Sequence, residues 1–209
     1  MINEVFEFLE SRDKYGSQPG LDRIISLLEL LGNPEDKVDT IHIAGTNGKG
    51  STGAYLESIF HQANLCAFHF SSPAVFDRRD PWRRYGAPLS EADFVECASH
   101  VMKATEELDK KNIHPTRFEI DAALALYAAA SLKNDYLILE TGMGGLHDAT
   151  NVIKHPKMCV FTNISYDHMQ FLGETLTEIA TEKAGIIKPG CKVFSADQEF
   201  AVKEVLDRR

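Results

Sequence analysis

Apolar residues recur at Leu21, Ile24, Ile25, Leu28 and Leu31, one face of a helix that Gly32-Asn33-Pro34 ends. The next apolar segment, Thr40-Ile41-His42-Ile43-Ala44, is short, β-branched and followed at once by glycines, the pattern of a strand entering a tight turn. Ser51 to Ala63 then reads as helix and Leu65 to Phe70 as a second strand. The Pro-, Arg- and Gly-rich stretch from Ser71 to Pro88 predicts a long surface loop, of a length that commonly carries function. Ser90 is placed to cap another helix. Thr116-Arg117-Phe118-Glu119 has the capping-box form, the threonine accepting from a backbone N–H and the glutamate reaching back, and the helix it opens runs to about Leu132. Tyr136 to Leu139 and Met158 to Thr162 predict strands, Thr175-Leu176-Thr177-Glu178 a second capping box, and Lys192-Val193-Phe194 a last strand after the Pro189-Gly190 turn. Strands and helices alternate throughout. The expected fold is therefore α/β, a mostly parallel sheet with helices on both faces and ligands at the carboxyl ends of its strands.

The length of 209 residues fits one large domain with a single core, and neither repeats nor low-complexity segments interrupt it. A net charge of -9 argues against a nucleic acid partner, which needs concentrated Lys and Arg. Arg78, Arg79, Arg83 and Arg84 are the one basic cluster. No apolar run approaches a membrane span, and Met1-Ile2-Asn3-Glu4 lacks the basic-then-apolar character of a signal peptide, so the cytoplasm is the expected location. Cys66, Cys97, Cys159 and Cys191 are far apart, without zinc or redox spacing, and read as free, mostly packed thiols.

Chemistry concentrates in Ala44-Gly45-Thr46-Asn47-Gly48-Lys49-Gly50-Ser51-Thr52, between a predicted strand and a predicted helix. Small residues let backbone N–H groups converge on phosphate oxygens, the helix N-terminus adds partial positive charge, and Lys49 adds a full one. The run departs from the standard phosphate-loop pattern. Ile43 stands in place of its first glycine and Gly50 in place of its Mg²⁺-binding Ser or Thr, so a metal needs other ligands. Three strand ends offer them: Ser72, Glu140 and His168, which a parallel sheet can bring to one edge. Each also has a plain alternative, as a turn hydroxyl before Pro73, a loop carboxylate, and a surface imidazole beside Asp167. Glu140 stands out because a carboxylate directly after Leu137-Ile138-Leu139 is costly to bury unpaired. Residues 141–151 form a second glycine-rich loop, suited either to close approach of a substrate or simply to a wide connection. Lys183 lies near the end of a helix, where it also complements the helix dipole.

Together these pieces resemble the folylpolyglutamate synthase/dihydrofolate synthase family. The resemblance is carried by Gly45-Thr46-Asn47-Gly48-Lys49-Gly50-Ser51, Ser71-Ser72-Pro73, Glu140 with the second glycine loop through Asp148-Ala149-Thr150-Asn151, Asp167-His168, and Glu182-Lys183-Ala184-Gly185-Ile186, in matching order from Gly20 to Gly190. It implies a phosphate-loop-type fold like the central domain of the related Mur ligases. It further implies an ATP-dependent ligase that joins L-glutamate to a pteroate or folate carboxylate through an acyl phosphate. Thr46, Asn47, Gly48, Lys49, Gly50 and Ser51 would hold ATP, and Ser72, Glu140 and His168 would serve Mg²⁺. Lys49, Lys183 and His168 would be the catalytic groups, with Lys183 at a position carbamylated in family members. Thr116, Phe118 and Asp148 match positions that contact dihydropteroate or folate.

Departures cluster on the substrate side. Pro73-Ala74-Val75 replaces the family's Pro-His-Leu, Asp77-Arg78-Arg79-Asp80 its Asn-Glu-Arg region, Leu146-His147 an arginine, and Ser11-Arg12-Asp13-Lys14 its N-terminal pterin-binding stretch. Residues 1–209 are thus expected to form one ATP-binding domain, incomplete at its C-terminal end, without the C-terminal domain that closes over the nucleotide and helps bind glutamate. Two other classes compete with the ligase completed by that domain or a partner chain: a nucleotide-binding module without ligase activity, and a Mur-type ligase for another carboxylate.

Overall fold

A computed structural model describes residues 1–16, 18 and 20–209. Its elements in chain order are α1 (Ile2–Ser11), α2 (Asp22–Leu30), β1 (Asp39–Ala44), α3 (Lys49–Gln62), β2 (Ala67–Phe70), β3 (Trp82–Arg84), β4 (Ala87–Pro88), α4 (Glu91–Asp109) and α5 (Arg117–Ser131). There follow β5 (Tyr136–Glu140), β6 (Met158–Phe161), α6 (Met169–Leu172), α7 (Leu176–Ala184), β7 (Lys192–Ser195) and α8 (Phe200–Asp207). The sheet runs β4-β3-β2-β5-β1-β6-β7. From β2 to β7 every pair is parallel, as the alternation predicts, while β3 and β4 add an antiparallel edge.

The local signals explain where helices begin and end. Thr116 and Thr175 form complete capping boxes with Glu119 and Glu178, and the Ser90 hydroxyl accepts from the Asp93 N–H. Gly32 at φ 80° and Asn33 at φ 52° end α2, with the Asn33 N–H closing on the Leu28 carbonyl at 2.8 Å.

Alternation along the central strands sorts the core into two faces. Ile41 and Ile43 of β1 and Ile138 of β5 pack against α3 through Leu56 and Phe60. Leu137 and Leu139 face the other way, onto α5 and the helices behind it. On that same side Ala44, Cys159 and Phe161 meet α7 and α8. Register aligns the strand ends: Ile43 lies beside Glu140, and Ala44 beside Phe161. Loops leaving β1, β5 and β6 therefore emerge together.

Three expectations change. Helix α1 lies upstream of the first helix expected at Leu21; it buries Val5, Phe6 and Leu9 and carries no side-chain cap, so neither end is signposted. Residues 71–88 are more than a surface loop, because β3 and β4 extend the sheet there. Trp82 is fully buried between Phe70 and Phe94, and its indole N–H donates to the Asp121 carbonyl. Strand β2 starts at Ala67 rather than Leu65, which stays 37% exposed.

The basic cluster is consumed internally. Arg78 stacks on Phe6 and pairs with Glu10, Arg79 pairs with Asp77, Arg83 with Asp80 and Glu57, and Arg84 donates to Asn134 and the Leu132 carbonyl. All four cysteines are free. No helix of the described residues is long and apolar enough to cross a membrane.

Candidate functional site

Strand β1 delivers the chain into Gly45, which has φ 152° and no room for a side chain: a Cβ there would lie 1.8 Å from Thr162 Oγ1. The next residue is tied down on the same side. The Thr46 N–H donates to the Asn163 carbonyl at 2.8 Å, while its hydroxyl donates to the Ser165 carbonyl and accepts from the Ser165 N–H, both at 3.0 Å. The β1 loop is thereby clamped to the loop after β6. Gly48, at φ 86°, then turns the chain into α3.

Ser90, Thr116 and Thr175 cap α4, α5 and α7, but no side chain caps α3. Its first-turn N–H groups have no side-chain acceptor at the cap, which with the helix dipole makes a seat for an anion. Lys49 opens this turn, its Nζ 3.3 Å from the Thr46 carbonyl oxygen and 3.7 Å from Glu140 Oε1. Glu140 ends β5 and is 5% exposed, and its Oε2 has no hydrogen-bond partner. Burial pushes its pKa up to about 7, against the pull of the Lys49 charge. A buried carboxylate oxygen without a donor, beside an open helix N-terminus, is the environment in which a cation relieves the desolvation cost.

Lys183 reaches the same place from the opposite face of the sheet. It is 3% exposed and donates to the Gly45 carbonyl at 2.9 Å, rather than to the carbonyls ending its own helix. Burial, and then the Lys49 charge, lower its pKa to about 8, so a fraction of the amine is neutral near physiological pH. The structure thus gathers Lys49, Glu140 and Lys183 around the 45–50 loop.

It leaves the other two metal-ligand expectations farther apart. His168 sits in the left-handed region at φ 46° ahead of α6, about half exposed, with Nε2 3.6 Å from Asp167 Oδ2, so the plain alternative of a surface imidazole describes its present contacts. Ser72 is half-buried before Pro73, with no hydrogen bond to Glu140 or His168 among the described residues. Among those residues no group of three or more His, Cys, Asp or Glu is close enough to hold a metal. Of the three, Glu140 alone is buried with an oxygen left unpaired.

The second glycine loop lies against the start of α5. Thr116 is buried as the cap of that helix, and Phe118 is half-buried with its ring over Gly142, where a Cβ would lie 2.3 Å from Cζ. That glycine serves close approach; its φ is not positive. Asp148 is turned inward, 6% exposed, and accepts from the Met143 N–H at 2.8 Å and the Thr150 N–H at 2.9 Å. Of the three expected substrate contacts, only Phe118 presents part of its side chain to solvent. Pattern reading missed Thr141 and Thr162, whose buried hydroxyls have no partner at the ends of β5 and β6; a hydroxyl residue directly after a buried strand was the available signal.

Comparison with known proteins agrees with this geometry. The Mur ligase middle domain model matches residues 43–206. The chain is 41% identical over 191 residues to the dihydrofolate synthase/folylpolyglutamate synthase of Bacillus subtilis, covering 90% of this chain and 44% of that protein. Among solved structures, the apo form of L. casei folylpolyglutamate synthase superposes with a TM-score of 0.94 at 31% identity, covering 99% of this chain and 51% of that one. A folylpolyglutamate synthase complex with AMPPCP and folate gives a TM-score of 0.92 at 30% identity, covering 99% and 51%. The chain spans about half the length of these proteins or less. The family model over residues 43–206, together with these relatives and superposed folds, shows that the chain belongs to the Mur ligase middle-domain family, alongside folylpolyglutamate and dihydrofolate synthases.

Proposed function

We propose that this chain is the ATP- and acid-binding half of a ligase of the dihydrofolate/folylpolyglutamate synthase type. The observation that carries the reading is the uncapped N-terminus of α3, with Lys49 and the unpaired Glu140 Oε2 beside it. The backbone of Thr46 to Ser51 cradles the ATP phosphates, and Lys49 neutralises their oxygens. Glu140 would hold Mg²⁺, with Ser72 and His168 as the further ligands. When bound, Mg²⁺ offsets charge on the transferring phosphoryl group. The carboxylate of dihydropteroate or folate, set against Phe118 and the second glycine loop, attacks the γ-phosphorus and releases ADP. The glutamate amine then attacks the acyl carbon and phosphate leaves, forming the amide. Lys183, partly neutral and buried, is the group open to carbamylation, a change that would convert a buried cation into an anion facing the same loop.

The half-length match to the relatives supports assigning closure of the site and the amine's pocket to a further domain or a partner chain. It equally favours a second reading, a nucleotide-binding module without ligase turnover.

Calorimetric titration of MgATP into the 209-residue chain tests the shared part of both readings. Lys49→Ala should weaken binding by more than about hundredfold, the loss of one charge-assisted contact to phosphate plus its field. Wild-type affinity in that variant removes the loop from the site. ADP release that accelerates only when folate and glutamate are both added separates the ligase from the module.

A further inference from the structure

His42 is a polar residue in the middle of β1, fully buried, three positions before Gly45 and on the sheet face opposite α3. Burial, with the Lys188 charge, lowers its pKa to about 3, so the imidazole is neutral and carries one N–H. Its Nε2 lies 2.8 Å from Thr150 Oγ1, and its Nδ1 has no partner. Thr150, also fully buried, places the same hydroxyl 2.5 Å from Asp148 Oδ1. Burial raises the Asp148 pKa, but the Met143 and Thr150 N–H groups both donate to its oxygens and hold it as the acceptor, so the one hydroxyl hydrogen goes to it and the threonine oxygen accepts from His42. The direction of every bond follows: His42 Nε2–H donates to Thr150, and Thr150 donates to Asp148. The other carboxylate oxygen holds the Met143 N–H, two residues into the second glycine loop.

We propose that His42, Thr150 and Asp148 form a buried hydrogen-bond relay that fixes the second glycine loop in register with the phosphate loop, with His42 and Thr150 as positioning residues for Asp148. The relay starts at the root of one loop and ends inside the other, which is where two substrates must be aligned to react. Asp148 accepts three donors from its own loop, two on Oδ1 and one on Oδ2, so its carboxylate is held in one orientation. The clause that an acid binds this loop rests on the proposed function; the relay itself does not.

The test uses the 209-residue chain and three variants, Thr150→Val, Thr150→Ser and His42→Gln. Valine keeps the shape of threonine and removes the hydroxyl, serine keeps the hydroxyl, and glutamine keeps an N–H near the Nε2 position. Long-range ¹⁵N–¹H NMR of wild type should show His42 as the neutral Nε2–H tautomer. In Thr150→Val the Met143 amide should exchange about tenfold faster, the loss of roughly one buried hydrogen bond, while the Leu139 amide is unchanged. Thr150→Ser and His42→Gln should retain most of the wild-type protection. Folate affinity should fall about tenfold in Thr150→Val, with MgATP affinity within about twofold, and recover in Thr150→Ser.

An Nδ1–H tautomer, or wild-type Met143 exchange in Thr150→Val, overturns the relay. Folate affinity that is unchanged in Thr150→Val overturns the positioning role of Thr150 and His42. If wild type binds no folate, the proposed function fails on that arm, and the tautomer and exchange data still decide the relay. Should Thr150→Val not fold, His42→Leu carries the same exchange comparison against His42→Gln.

Discussion

Both glycine-rich loops leave the carboxyl end of a parallel strand, residues 45–50 after β1 and residues 141–148 after β5, and both use glycine where another chain segment presses close. They spend their polar groups differently. Around the first loop an uncapped helix end, the Glu140 Oε2 and the Thr162 hydroxyl all lack partners. Around the second, Asp148 gathers the Met143 N–H, the Thr150 N–H and the Thr150 hydroxyl and Asn151 donates to the Leu146 carbonyl, although the Thr141 hydroxyl and Asn151 Oδ1 are unpaired there too. Glycine content locates where backbone can turn or approach. A buried carboxylate oxygen left unpaired beside an open helix end is where a charged ligand completes the structure, because the ligand recovers part of the desolvation cost.

The contrast is most sharply tested at Gly45. A Cβ there meets Thr162 Oγ1 at 1.8 Å from a φ that side chains rarely adopt, so Gly45→Ala should cost about 4 kcal/mol from overpacking and backbone strain together. Adding Thr162→Ala should recover part of it, since the Thr162 backbone N at 3.2 Å still crowds the site. Urea denaturation of both variants measures this, and wild-type stability in Gly45→Ala means the two strand-end loops are not in contact.

Glu140 gives the next effect, with the opposite sign. Its folded pKa of about 7 lies above the ordinary 4.5, so the folded chain binds the extra proton and its stability falls as pH rises between those values. Without nucleotide or metal, Glu140→Gln should therefore be more stable than wild type at pH 8, by about 3 kcal/mol at most, with the gap closing below pH 5. Mg²⁺ with ATP should narrow the gap by stabilising wild type alone. A gap that is the same at pH 5 and pH 8 would show that Glu140 is already paired.

The smallest change is expected at Gly142, where a Cβ would meet the end of the half-buried Phe118 ring at 2.3 Å. A ring on the rim can swing aside, so Gly142→Ala should cost about 1 kcal/mol and weaken folate severalfold while leaving MgATP binding intact. Loss of MgATP binding in this variant would merge the two loops into one site and break the distinction between them.

Much of this was legible locally. The Gly32-Asn33 stop, both capping boxes, the Ser90 cap and the strands β1, β5 and β6 follow from residues within a few positions of one another. The hairpin β3–β4 was not, because its determinants are remote. Trp82 is buried by Phe94 and held by Asp121, and the arginines that look like a surface cluster are met by Glu10 of α1, Glu57 of α3 and Asn134 of the turn between α5 and β5. Helix α1 was readable in part, through Val5, Phe6 and Leu9, but has no cap to mark it.

By itself the sequence determined the α/β alternation, the phosphate-binding run at 45–50 and the presence of a carboxylate at the end of β5, since each depends on backbone preferences and short-range spacing. Tertiary structure alone decided that Lys183 turns to the Gly45 carbonyl, that Glu140 keeps one oxygen unpaired, and that Asp148 turns inward toward Thr150 and His42. Those outcomes depend on which groups are left without water and which donor lies within 3 Å, a competition among residues more than a hundred positions apart.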